Sequence, residues 1–125
     1  MPEPRPIYPP ATADFADERR KLAPETAEAF QAFSRSVFAE GAIPAATKQL
    51  IAVAVAHVTQ CPYCIISHTR SALRHGAAPD AIMEAIWVAA EMRAGGAYAH
   101  SALALEMIAQ ARKDGPEGGS IHDAS

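Results

Sequence analysis

The stretch QCPYCIISHTRSALRHG, residues 60–76, holds both cysteines of the chain and a histidine at close spacing. Cys61 and Cys64 are separated by two residues, and His68 follows the second cysteine by four. Two thiols and one imidazole at this spacing are suited to redox chemistry or to metal binding. The stretch therefore decides both the local fold and the candidate chemistry of the chain.

Residues that start and stop helices place this stretch on a helix. Pro62 suits a first helical turn, with Cys61 near the N-cap, and Gly76 is a typical stop. On a helix with about 100° between successive residues, the side chains of Cys61, Cys64 and His68 project within about 60° of one another. We therefore expect the three groups to share one face at a helix N-terminus.

This arrangement favours a reactive thiol beside a second thiol. The amides and the positive dipole end of a helix N-terminus favour a thiolate, and His68, one turn beyond Cys64, is placed to take its proton. A thiolate attacking a peroxide gives a sulfenic acid, which a neighbouring thiol converts to a disulfide. From the i, i+4 spacing we assign Cys64 as the attacking thiol, Cys61 as the resolving thiol and His68 as the base.

Outside the stretch, apolar residues recur at helical spacing, and no segment alternates between polar and apolar residues as a strand does. Pro24, Pro44 and Pro79 suit helix starts, Gly41 suits a stop, and the pair Gly95-Gly96 suits a break or a kink. The predicted fold class is all-α, a single helical bundle that assembles through its helices into an oligomer. The expected helical segments are 14–22, 24–41, 44–58, 62–76, 79–96 and 97–113.

The expected organisation is an N-terminal arm at 1–22, a helical domain at 23–113 and a disordered tail at 114–125. Leu50 to Val58 is apolar nearly all round, so its helix should be central and buried on most sides. Core packing is the expected role of two further apolar sets, one on the helix that follows Pro24 and one around Trp87. They are Ala27, Phe30, Phe33, Val37 and Phe38, and Met83, Trp87 and Met92. For the set around Trp87 the alternative is an apolar surface that faces the substrate or another subunit.

Composition narrows the classes of partner. The formal charge of −3, a pI near 5.9 and the absence of a lysine or arginine run argue against nucleic acid or an anionic membrane as the partner. The N-terminus resembles no signal peptide, and no apolar run reaches the roughly 18 residues that cross a bilayer, so we expect a cytoplasmic protein. Aromatic residues make up only 6% of the chain, which predicts a thin core and hence a homo-oligomer.

Two alternative interpretations of the thiols remain open at this point. Free cysteines are often simply buried, and the histidine is then an ordinary hydrogen-bonded residue. Alternatively Cys61, Cys64 and His68 are three ligands of a zinc ion and His57 or His100 is the fourth, although no second ligand pair at zinc spacing is visible. A thioredoxin-like domain also uses Cys-x-x-Cys but requires strands around the motif.

The segment TKQLIAVAVAHVTQCPYCIISHTRSALRHGAAPDAIMEAIWVAAEMRAGG, within residues 44–96, resembles the alkyl hydroperoxidase D-like family, which is grouped with the carboxymuconolactone decarboxylases. The resemblance implies an all-α fold, trimers or hexamers, and reduction of a hydroperoxide substrate through the cysteine pair. It also implies no bound cofactor and an external dithiol reductant, for example a lipoyl group. The cysteine pair separates the chain from the decarboxylase branch, whose members do not rely on it.

One position departs from the family pattern. The family's proton relay includes a glutamate twelve residues before the first cysteine, and this chain has Gln49 there. A glutamine can orient His68 by a hydrogen bond but does not accept a proton at neutral pH. The alternatives are a shorter relay, a weak peroxidase, or another acid such as Glu84 or Glu91, for which an ordinary solvated glutamate is the competing interpretation.

Three further residues are candidates for the substrate pocket: His57, Tyr98 and His100. Each has a structural alternative, because histidine and tyrosine often anchor helix packing through one hydrogen bond. The leading hypothesis is a thiol-dependent peroxidase with Gln49 as an orienting group and no metal. The alternatives are a carboxymuconolactone decarboxylase-type enzyme acting on a small lactone acid, and a zinc-binding or redox-sensing helical module without turnover.

Overall fold

The computed structural model describes residues 7–115, which form five α-helices and, in this range, no strand. The predicted all-α fold class is therefore confirmed. No helix in this range is long and apolar enough to cross a membrane. The helices are α1 (Ala13–Leu22), α2 (Pro24–Phe38), α3 (Ala45–Thr59), α4 (Pro62–Arg74) and α5 (Pro79–Asp114).

Helix boundaries follow the proline and glycine positions along most of the chain. Proline occupies the first turn of α2, α4 and α5, where its missing N–H removes no helical hydrogen bond. Gly76 adopts a φ of 88° just after α4, a conformation that glycine reaches without steric cost. Gln60 adopts a φ of 58° after α3, so one left-handed residue turns the chain directly from α3 into α4.

The core lies where α3, α4 and α5 meet. Val53 and Ala72 are fully buried and Ile82 is nearly so, one residue from each of these helices. Leu50, Ala77 and Ile86 pack around them. The core is small because most of its buried residues are alanines, which agrees with the thin core that the composition predicts.

The expected break at Gly95-Gly96 is wrong. α5 continues through both glycines for 36 residues, a length of about 54 Å. Neither glycine has a positive φ, so both take helical geometry. Each costs a helix roughly 1 kcal/mol relative to alanine, and the long flanking runs of alanine and other strong helix formers offset that cost.

The apolar sets assigned to the core are largely exposed in the single chain. Phe30 and Phe33 are 65% and 64% exposed, and Trp87 and Met92 are both 65% exposed. Only Phe38 of the phenylalanines on α2 is half-buried. The expectation of core packing within this chain is therefore wrong for these four residues, because α2 reaches α3 mainly with its C-terminal end and Trp87 lies on the outer face of α5.

α3 is central, but its outer face remains open. Val53 and Ala56 are buried against α4 and α5, whereas Ile51 and Val55 are 46% and 52% exposed. The second half of α5, residues 97–114, is exposed throughout. α1 packs on α2 as part of the expected N-terminal arm, and the tail expected at 114–125 lies outside the described residues from 116 onward.

Candidate active site

Cys61 and Cys64 form a disulfide at the start of α4. Cys61 is the N-cap residue and Cys64 lies in the first turn, with their Cα atoms 5.3 Å apart, a separation typical of disulfides. Both residues are half-buried. Local helix geometry is thus sufficient to bring the two sulfurs together.

The N-terminus of α4 also supplies a hydrogen bond to Cys61. The backbone N–H of Cys64 donates to Cys61 Sγ over 3.2 Å. An amide donor and the positive end of the helix dipole both favour a negatively charged sulfur. Of the two cysteines, Cys61 is therefore the one whose thiolate the helix terminus stabilises by direct contact.

His68 is fixed by a side chain of the preceding helix. Its Nδ1 lies 2.8 Å from Oε1 of Gln49, which is only 6% exposed. Because an amide oxygen accepts, His68 Nδ1 carries the proton and donates it, and Nε2 is left with a free lone pair. The contact with Gln49 is thus compatible with the Nδ1–H tautomer of His68, and the orienting role of Gln49 stays a prediction.

Phe38, the last residue of α2, holds the other side of the imidazole. The two rings stack with their centroids 5.0 Å apart and an angle of 27° between their planes. Burial lowers the pKa of His68 below its ordinary value of about 6.5, so the ring is neutral at pH 7. This contact of Phe38 does not follow from the sequence, because its spacing on α2 indicates only an amphipathic helix.

A pocket of about 380 Å³ opens between α2, α3 and α4. Cys64 and His68 both line it, whereas Cys61 is not among its lining residues. Most of the remaining lining is apolar and includes Val37, Phe38, Ile51, Ala52 and Val55. The pocket thus brings one sulfur of the pair and the imidazole to a common apolar space.

Lys48 is a polar residue of this pocket that sequence analysis did not single out. It lies in the first turn of α3, next to Gln49. Its Nζ donates to the carbonyl oxygens of Val37 and Ala39 over 2.8 and 2.7 Å. The lysine therefore ties the C-terminal end of α2 to α3, as cations commonly do at helix ends.

The three candidate pocket residues lie elsewhere in this chain. His57 Nδ1 donates to the carbonyl oxygen of Val53 over 2.7 Å, and His100 Nδ1 donates to that of Gly96 over 2.8 Å. Tyr98 is 83% exposed. None of the three lines the pocket that the described residues form around Cys64.

No carboxylate replaces the family glutamate beside His68 in the described part of the chain. Glu84 and Glu91 are both exposed, and Gln49 is the hydrogen-bonding partner of His68. Within residues 7–115, no group of three or more histidine, cysteine, aspartate or glutamate side chains is arranged to hold a metal ion. The zinc alternative therefore gains no support from these residues.

The N-terminal arm contacts Tyr63, one of the two residues between the cysteines. The hydroxyl of Tyr63 donates to the carbonyl oxygen of Pro9 over 2.7 Å. The rings of Tyr8 and Tyr63 pack edge to face with their centroids 5.9 Å apart. The arm thus contacts the start of α4, close to the disulfide.

Comparison with known proteins gives consistent family matches. Residues 24–107, from α2 into the second half of α5, match the sequence model of the carboxymuconolactone decarboxylase family. Uncharacterized protein 4 in the cox locus of Paracoccus denitrificans is 64% identical over 81 residues, which cover 65% of this chain and 73% of that protein. An uncharacterized protein of Cupriavidus necator is 42% identical over 83 residues, covering 65% and 74%.

Two solved structures are similar in fold and in sequence. A protein from Methanobacterium thermoautotrophicum superposes with a TM-score of 0.63 at 35% identity, covering 66% of this chain and 93% of that one. The apo form of a carboxymuconolactone decarboxylase family protein from Legionella pneumophila gives a TM-score of 0.60 at 32% identity, covering 72% and 80%. These similarities agree with the resemblance drawn from the Cys-x-x-Cys stretch.

Proposed function

This chain belongs to the carboxymuconolactone decarboxylase family, and we propose that it is a thiol-dependent peroxidase of the alkyl hydroperoxidase D-like type. One observation carries the proposal. The Cys61–Cys64 disulfide lies at the N-terminus of α4, and Cys64 shares an apolar pocket with His68. A redox pair with one sulfur and one base facing the same substrate-sized space is what reduction of an organic hydroperoxide requires.

In the first step Cys64 attacks the substrate. His68 Nε2, which has the free lone pair, takes the proton of the Cys64 thiol. The thiolate attacks the terminal oxygen of the hydroperoxide, the O–O bond breaks, and its electron pair leaves on the alkoxide. The alkoxide receives the proton from His68 and departs as an alcohol, while Cys64 becomes a sulfenic acid.

In the second step Cys61 resolves the sulfenic acid. The Cys61 sulfur attacks Cys64 Sγ, the S–O bond breaks, and water leaves as the disulfide forms. One thiol of an external dithiol then attacks Cys64, forming a mixed disulfide and releasing Cys61 as a thiolate. The Cys64 amide that contacts Cys61 Sγ stabilises this leaving thiolate, so the two cysteines have complementary roles. The second thiol of the donor displaces Cys64, so the donor leaves as a disulfide and both cysteines are again reduced.

Gln49 is a positioning residue in this scheme. Its amide oxygen holds the proton on His68 Nδ1, which leaves Nε2 available to the thiol. An amide supplies this orientation without a negative charge, so the imidazole stays neutral and weakly basic. Proton transfer then needs only Cys64, His68 and the substrate, which is the shorter of the relays considered for this chain.

The test is turnover of tert-butyl hydroperoxide with dihydrolipoamide as the reductant. Multiple turnovers are expected from the parent, none from Cys64→Ser, and from Cys61→Ser a sulfenic acid that dimedone traps. If one equivalent of hydroperoxide leaves both thiols free, the peroxidase proposal is wrong. A disulfide that forms once without further turnover favours the redox-sensing module.

The decarboxylase alternative leaves the cysteine pair without a role, and we rank it below the peroxidase. The proposed assembly is a homo-oligomer, trimer or hexamer, with a hydroperoxide and a dithiol reductant as partners. The exposed Phe30, Phe33 and Trp87 support self-association, because monomeric proteins rarely leave large apolar side chains clustered in water. A cytoplasmic location stays a prediction.

A further inference from the structure

The pocket beside Cys64 combines an apolar wall with a single cation. Among the lining residues in the described part of the chain, Lys48 is the only lysine or arginine, and no aspartate or glutamate joins it. Peroxide reduction by Cys64 and His68 makes no use of this charge. Lys48 already ties α2 to α3, and its charge is in addition available to a ligand in this pocket.

The charge of Lys48 is not neutralised by an acidic side chain. Its two hydrogen bonds go to the backbone carbonyl oxygens of Val37 and Ala39, which are polar but uncharged. Within residues 7–115, neither of the ion pairs includes Lys48. An ammonium group has three donors, so one N–H remains for an additional acceptor.

The apolar wall extends along α3 from Lys48. The residues of α3 that line the pocket recur three and four positions apart, which places them on one face of the helix. This face extends over the 12 residues from 48 to 59, about 16 Å along the helix axis. The residues are Lys48, Ile51, Ala52, Val55, Ala56 and Thr59.

We propose that this pocket binds an apolar chain with a terminal carboxylate, and that Lys48 is the residue that receives the carboxylate. The positive charge at one end of the α3 face complements the head group, and Ile51 and Val55, which are half exposed, cover the chain. Neutral and cationic chains of the same length lack that complement. This proposal rests on the proposed peroxidase function, and it names the substrates of the enzyme as hydroperoxides of apolar monocarboxylic acids.

Ligand binding to the disulfide form tests the site without any turnover. Isothermal calorimetry with octanoate, 1-octanol and octylammonium compares one chain length with three head groups. Octanoate is expected to bind about 10-fold more tightly than octanol, the range of a charge-assisted hydrogen bond, and octylammonium is expected to bind most weakly. Added salt should weaken octanoate binding and leave octanol binding unchanged.

Variants of Lys48 test whether this residue causes the preference for octanoate. Lys48→Met should remove the preference for octanoate and retain octanol binding, while Lys48→Arg should preserve the preference. Arg35→Met, which removes an exposed cation of α2, is the matched control and should change neither affinity. Ala52→Phe should fill the pocket and abolish binding of both ligands.

Equal affinities of the parent for octanoate and octanol overturn the proposal, as does an unchanged preference in Lys48→Met. Should Lys48→Met fail to fold because the carbonyl oxygens of Val37 and Ala39 lose their donor, Lys48→Gln retains a donor without the charge and is measured instead. Peroxidase assays distinguish failure of the proposed function from failure of the carboxylate site. If a hydroperoxy acid, its methyl ester and tert-butyl hydroperoxide are all inert, the proposed function is wrong, whereas turnover of tert-butyl hydroperoxide with no preference for the acid over its ester excludes only the carboxylate site.

Discussion

At the scale of single residues, the contact between Gln49 and His68 sets the chemistry of the candidate site. A glutamate and a glutamine have nearly the same shape, and both present an oxygen to His68 Nδ1. They differ in charge, and in a buried position that difference is large because water does not screen it. Gln49 therefore retains the orientation of the imidazole and gives up the stabilisation of its protonated form.

Replacing Gln49 by Glu should raise the pKa of His68, because a carboxylate beside the imidazole favours the imidazolium. The imidazole proton resonances followed over a pH titration should show this rise in the pKa of His68. Gln49→Leu is the control that removes the hydrogen bond without adding charge. An unaltered His68 titration in Gln49→Glu would show that the contact does not form in solution.

The lowered pKa of His68 also predicts how stability depends on pH. In the unfolded chain the imidazole titrates near 6.5, so between that value and the lower folded pKa the unfolded state binds more protons. The contribution of His68 is fully present above pH 6.5 and is lost as the pH falls toward the folded pKa. Urea unfolding of the parent and of His68→Gln from pH 7.5 to 5 should show a shallower decline in the variant, with His100→Gln following the parent.

At the scale of elements, the start of α4 is the part that the sequence predicts best. Pro62, Cys61 and Gly76 mark the helix by local backbone chemistry, and the shared face of Cys64 and His68 follows from helix geometry alone. The roles of Phe38 and Lys48 could not be predicted, because they depend on how the end of α2 meets α3. Helical periodicity states which face of a helix is apolar but not which helix that face meets.

The predicted break at Gly95-Gly96 is wrong because it is inferred from two residues alone. Two adjacent glycines lower helix propensity, yet α5 continues because neighbouring residues favour helix and the flanking turns are already formed. Adjacent glycines mark a position of low helix propensity. Whether the helix ends there depends on the residues on both sides.

A continuous α5 predicts that Gly96→Ala stabilises the protein. A Cβ at this position meets no atom within 4 Å, and the backbone is helical, so unfolding free energy should rise by about 0.5–1 kcal/mol in urea titrations. Gly76→Ala is the matched opposite case. Its Cβ also meets nothing, but its φ of 88° is strained for alanine, and about 1–2 kcal/mol should be lost. A loss of stability in Gly96→Ala would indicate that the helix breaks at the glycines.

At the scale of the whole molecule, the apolar residues divide into a set that forms the core of the chain and a set that is exposed on its surface. Val53, Ala72 and Ile82 form a core of three helices, while Phe30 and Trp87 lie in solvent. The same periodic pattern predicts both kinds of residue, since burial within a chain and burial between chains impose the same spacing. The low aromatic content predicts a thin core and therefore a homo-oligomer. Which apolar faces are exposed is seen only in the folded chain.

This distribution predicts that Trp87→Glu weakens self-association without unfolding the chain. Trp87 is 65% exposed, so the charge leaves the core of α3, α4 and α5 intact, but it becomes desolvated wherever a second copy covers this face of α5. Sedimentation velocity should therefore show an oligomer for the parent and smaller species for the variant at equal concentration, with helical circular dichroism retained. Lys21→Glu, a charge change on α1 with no apolar side chain removed, is the control and should sediment like the parent.

Because assembly stabilises the folded chain by mass action, the midpoint of thermal unfolding should rise with protein concentration in the parent and less so in Trp87→Glu. An oligomer of unchanged size in Trp87→Glu would place the contact between copies on another face, for example the face of α2 that carries the exposed pair Phe30 and Phe33.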